Sequence, residues 1–118
     1  MPSNSFCVVF KVAALVLLLS ACSDQGQNKE VQSTMSDALV QGETLYKQNC
    51  KVCHAQGING APILGNKKMW GPRMTKGADA LAANAVAGVG LMPAKGGKDH
   101  LSDAEIRLVV DYYLYKLQ

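Results

Sequence analysis

Cys50-Lys51-Val52-Cys53-His54 puts two thiols on one helical turn with an imidazole directly after them. This run limits what the surrounding chain can be, because three reactive groups must share one neighbouring space. The chain available to surround them is short. It has 118 residues. The first stretch reads as a leader, so about 80 residues are left for a folded unit. A unit of that size is marginal for an independent apolar core and ordinarily needs a staple.

The C-x-x-C-H spacing is the attachment signature of c-type haem. Each thiol can add across one vinyl group of the macrocycle, and the histidine that follows can turn its imidazole to the iron. Three other chemistries compete for Cys50, Cys53 and His54. A thioredoxin-like redox pair sits in a βαβ setting, and no alternating apolar pattern supplies one here. A structural zinc site needs four ligands; His100 is a candidate fourth, but no second C-x-x-C exists. A plain disulfide between the two cysteines is the third. The remaining cysteines, Cys7 and Cys22, lie at the N-terminus, which leaves none for a structural disulfide elsewhere.

A sixth iron ligand is sought among Met35, Met69, Met74, Met92 and His100. Met92 is the expected one. It sits in Gly88-Val89-Gly90-Leu91-Met92-Pro93-Ala94-Lys95-Gly96-Gly97, where glycines and proline favour a loop that can return over the opposite haem face. Its alternative is ordinary core packing. Met69 and Met74 read as core, and His100 as a solvated loop residue.

The N-terminus reads as an address. Residues 8–19 are almost wholly apolar, broken only by Lys11, and the apolar stretch 12–19 is shorter than the roughly 20 residues a spanning helix requires. A basic front, an apolar run and small residues make a secretory signal peptide over residues 1–21, removed on export. Leu19-Ser20-Ala21-Cys22 resembles the lipobox of bacterial lipoproteins, in which the cysteine is lipidated. Residues 22–36 are polar and without helical or strand period, and are expected to form a lipidated flexible tether. Ser23, standing after the cysteine in place of aspartate, favours the outer over the inner membrane.

Helical periodicity marks the folded unit, residues 37–118. A first helix is expected over about residues 37–49 with Ser36 as N-cap, bringing Ala38, Gly42, Leu45 and Tyr46 to one face. A second covers about residues 78–87, stopped by Gly88. Ser102-Asp103-Ala104-Glu105 is a capping box, followed by an apolar stripe of Ile106, Val109, Val110, Tyr113, Leu114 and Leu117. In the intervening stretch, Asn66 can cap a turn through Trp70, and Pro72 suits the start of another.

Together these residues resemble class I cytochromes c, and more closely the cytochrome c5 type. The matching features are Gly42-Glu43-Thr44-Leu45-Tyr46, the C-x-x-C-H run, Gly57-Ile58-Asn59-Gly60-Ala61-Pro62, Trp70-Gly71-Pro72-Arg73, Lys76-Gly77, Met92-Pro93-Ala94-Lys95-Gly96-Gly97 and the Tyr112/Tyr113 helix. The resemblance implies an all-α class I fold: three to five helices around one covalent haem c, with terminal helices crossing so that Gly42 and Tyr46 meet Tyr112 and Tyr113. It implies that the Pro62 carbonyl accepts from His54, and that Trp70 and Arg73 approach a haem propionate. Many proteins of this type carry a cysteine pair just after the methionine loop; Lys98 and His100 stand near those places here.

Axial ligation by His54 and Met92 leaves iron without a vacant position, so the expected activity is one-electron exchange and not enzymatic turnover. The alternatives are a haem enzyme or gas sensor with a labile sixth ligand, or a haem subunit of a larger oxidoreductase. The expected partners are a redox donor and acceptor. Lys51, Lys67, Lys68, Lys95 and Lys98 predict acidic docking patches on them. The formal charge of +3, which falls to +2 without the leader, is too small for a nucleic-acid-binding face. Export and lipidation put the protein on the periplasmic side of a bacterial membrane.

Overall fold

The structure is a computed structural model that describes residues 25–118, with side chains from position 32 onward. The expected signal peptide and Cys22 lie outside the described residues. Helix α1 (Gln25–Leu45) runs through a wider π turn (Tyr46–Cys50) into the single turn α2 (Lys51–His54). A short 3-10 turn (Ile58–Gly60) leads to α3 (Lys67–Met74) and α4 (Gly77–Ala87). A second 3-10 turn (Ala94–Gly97) precedes α5 (Asp103–Lys116). Among the described residues there is no strand, only an isolated antiparallel bridge between Val89 and Met92. None of the described helices is long and apolar enough to cross a membrane.

Local chemistry accounts for most boundaries. The Ser102 hydroxyl accepts from the Glu105 N–H at 3.2 Å while the Glu105 carboxylate accepts from the Ser102 N–H at 2.8 Å, the reciprocal cap expected for α5. The Asn66 side chain accepts from the Met69 N–H at 3.1 Å and opens α3. That helix continues beyond Trp70. Pro72 lies inside it, where the sequence suggested a new start. Gly88 ends α4 at φ 84°, in the region that favours glycine.

The N-terminal segment departs from expectation. Its backbone is helical from Gln25, not a coil to residue 36, and Ser36 is an interior helical residue instead of a cap. No proline interrupts residues 25–36, and Gly26 is the only glycine there, so a helix nucleated by the packed end of α1 can propagate outward. Residues 32–37 are all exposed, which is why no apolar period announced this part of the helix.

The core lies where α1 crosses α5. Leu45 and Tyr46 pack with Ile106, Val109, Tyr112, Tyr113 and Leu117, joined by Trp70 and Leu101. Tyr46 meets Tyr112 at a ring separation of 5.8 Å and Tyr113 edge-on at 5.4 Å. Gly42 permits this crossing. A Cβ there would overlap the Leu108 carbonyl oxygen and stand 3.0 Å from the Tyr112 Cβ. Replacing Gly42 by alanine should therefore push α1 from α5 and cost about 1–3 kcal/mol. The expected result is a lower urea midpoint for the haem-loaded protein; an unchanged midpoint would show that the crossing has slack.

Candidate functional site

The π turn (Tyr46–Cys50) inserts one residue into the helix just before the cysteines, with the Lys51 N–H reaching back to the Tyr46 carbonyl. The extra residue turns the face that follows. Cys50 becomes partly buried against the core, Cys53 exposed, and His54 buried. The two thiols are free, with no disulfide between them. Burial pushes the Cys50 thiol up to about 11. Among the described residues no three His, Cys, Asp or Glu side chains converge as a metal-holding group.

His54 is held from several directions. Its Nδ1 lies 2.9 Å from the Pro62 carbonyl oxygen. A carbonyl only accepts, so Nδ1 carries the proton and Nε2 keeps a free lone pair, as a metal-ligating imidazole needs. The His54 carbonyl itself accepts from the Leu64 N–H at 2.9 Å, tying the turn to the loop that delivers Pro62. Trp70 stacks beside the imidazole at 6.3 Å, and Tyr113 meets it edge-on at 5.5 Å. These contacts fix the ring plane before any metal is considered.

Cys50, Cys53, His54, Pro62, Trp70, Arg73 and Met92 all line one cavity of about 760 Å³. Ile58, Leu81, Ala85, Val89, Leu91 and Ile106 give it an apolar wall, within the size range of cofactor sites. Met92 arrives on a tight hairpin. Its N–H and carbonyl pair with the carbonyl and N–H of Val89, each at 3.0 Å. Gly88 makes room for it: a Cβ there would lie 2.8 Å from the Met92 carbonyl oxygen and 2.7 Å from the Ala94 nitrogen.

Two expected contacts look different in the structure. The Trp70 indole N–H donates to the Ile63 carbonyl at 2.9 Å, so Trp70 lines the cavity with its one donor already engaged. Lys95, counted among surface charges, turns inward to Leu101 and Asp103. Arg73 stays exposed at the cavity rim while donating to the Met69 carbonyl of its own helix. Lys76 joins it at the rim, from the Lys76-Gly77 pair that follows the matching run Trp70-Gly71-Pro72-Arg73.

Residues 37–112 match the family model described as cytochrome C oxidase, cbb3-type, subunit III. The chain belongs to the cytochrome c family. Similar proteins include cytochrome c-555 of Chlorobaculum thiosulfatiphilum, 40% identical over 60% of this chain and 87% of that protein. Cytochrome c5 of Ectopseudomonas mendocina is 34% identical over 55% of this chain and 77% of its own length. A chain from a crystal structure of an electron transfer complex of nitrite reductase with cytochrome c is 42% identical, with a TM-score of 0.63 over 66% of this chain and 95% of that one. As a cytochrome c, the protein carries one covalently bound haem c, and Cys50 and Cys53 stand in the C-x-x-C-H positions for its attachment. The cavity fits that group: both thiols are free, and the His54 Nδ1 bond to Pro62 leaves Nε2 available to a metal.

Proposed function

We propose that this cytochrome is a one-electron carrier whose haem iron is held between His54 and Met92, anchored by a lipid on Cys22 to the periplasmic side of a bacterial membrane. The observation that carries the reading is the pairing of a pre-oriented His54 with Met92 in one cavity. The relatives named cytochrome c-555 and cytochrome c5, and a structural neighbour from an electron transfer complex, support it.

The bound haem supplies reversible exchange between Fe(II) and Fe(III). The chain supplies the rest. Cys50 and Cys53 hold the macrocycle through thioethers. Pro62 fixes the His54 tautomer and raises its basicity. Met92 offers a soft sulfur that favours the reduced metal, and the apolar wall does the same by excluding water. Arg73 and Lys76 give the rim positive charge that suits a propionate. A filled coordination sphere admits electrons and no small ligand, which separates a carrier from a haem enzyme or gas sensor.

The family description supports a second reading, a haem subunit of a larger oxidoreductase. Stable co-purification with other chains from native membranes would favour it over a free carrier.

Three measurements test the main reading. Met92→Ala should lose the low-spin optical spectrum in both oxidation states; an unchanged spectrum would reject Met92 as ligand. Cys22→Ser should release the protein from the membrane fraction, whereas retention there would contradict a lipid anchor. Lys51, Lys67, Lys68 and Lys98 remain at least partly exposed and suit an acidic partner. Electron-transfer rates should fall as ionic strength rises, and a flat dependence would remove the steering role.

A further inference from the structure

The loop that presents Met92 is secured unequally at its two ends. On the N-terminal side the backbone does the work, through the Val89 pairing and the close approach at Gly88. On the C-terminal side the chain passes through Lys95, Gly96 and Gly97, all with positive φ, at 52°, 64° and 74°. Glycine adopts that conformation freely, but lysine does so only against steric resistance from its Cβ. Something must hold Lys95 there.

Two short backbone bonds close the turn, Gly96 N–H to the Pro93 carbonyl and Lys98 N–H to the Lys95 carbonyl, and the Lys95 side chain ties it to the rest of the fold. The ammonium donates to the Leu101 carbonyl at 2.7 Å and pairs with the Asp103 carboxylate at 2.9 Å. Leu101 is a core residue, and Asp103 opens α5. The Lys95 side chain is 23% exposed and its bond to the Leu101 carbonyl is partly buried, while the Asp103 carboxylate is 71% exposed, so the carbonyl is the sheltered half of the contact. A charged donor shared between a carbonyl and a carboxylate is among the stronger hydrogen-bonding arrangements. Lys95 also lines the cavity beside Met92.

We propose that Lys95 is a clasp: its ammonium ties the Met92 loop to the start of α5 and sets how often Met92 leaves the iron. It acts through Met92 and is a positioning residue. The proposal rests on the reading of Met92 as the sixth ligand.

The test uses the haem-loaded protein and two variants. Lys95→Met keeps the stem and removes the ammonium; Asp103→Asn keeps the lysine and weakens its partner. Amide exchange reports the loop directly, since the Met92 N–H is bonded to Val89 and the Gly96 N–H to Pro93. Carbon monoxide binding to the reduced protein reports loss of the sixth ligand. Lys95→Met should speed exchange at Met92 and Gly96 by about tenfold, leave Val109 and Val110 in α5 protected as before, and raise the carbon monoxide rate by a similar factor. Asp103→Asn should do the same to a smaller extent. Unchanged loop exchange overturns the clasp. So does an equal rise in the loop and α5, which is a general loss of stability, or faster loop exchange with an unchanged carbon monoxide rate. Wild type that binds carbon monoxide as fast as Met92→Ala overturns the ligand assignment and with it the release step. The loop exchange of Lys95→Met tells that failure from failure of the clasp.

Discussion

Burial of apolar surface holds a small domain together, and in this cytochrome much of that surface faces a shared cavity instead of other side chains. None of the large side chains among the described residues reaches complete burial. The packed core is the narrow seam between α1 and α5, and it continues through Tyr113 and Trp70 into the cavity wall. The haem is therefore structural as well as functional. Its macrocycle would complete the apolar interior, and thioether bonds from Cys50 and Cys53 would fasten it to the turn that carries His54.

From this arrangement the two residues proposed as axial ligands acquire different mechanical characters. His54 is fixed by a partly buried backbone carbonyl, an aromatic stack and an edge-on tyrosine, next to the helix crossing. Met92 sits on a hairpin that depends on one pair of backbone bonds, a glycine contact and a lysine side chain.

The parts of the fold written in short-range pattern were legible in the sequence. The capping box of Ser102 and Glu105, the Asn66 cap, the end of α4 at Gly88 and the stripe on α5 each depend on residues within a few positions of one another. The cavity-lining residues Cys50, Cys53 and His54 came from a motif with its own chemistry; Pro62, Trp70 and Arg73 came through family resemblance, because no local pattern marks them. What was not legible depends on long-range placement or on propagation. The indole of Trp70 finds Ile63 only once the loop has closed, and Lys95 reaches α5 across a turn that its own strained backbone makes. Residues 32–36 of the N-terminal helix are all exposed, so no buried face there could show as a periodic pattern.

The account stands on an iron saturated from both sides. The most direct check is to expose the fully reduced protein to carbon monoxide at neutral pH and follow the haem absorption. The account predicts a spectrum that stays low-spin and essentially unchanged over minutes. Rapid, stoichiometric formation of a carbon monoxide adduct would contradict it.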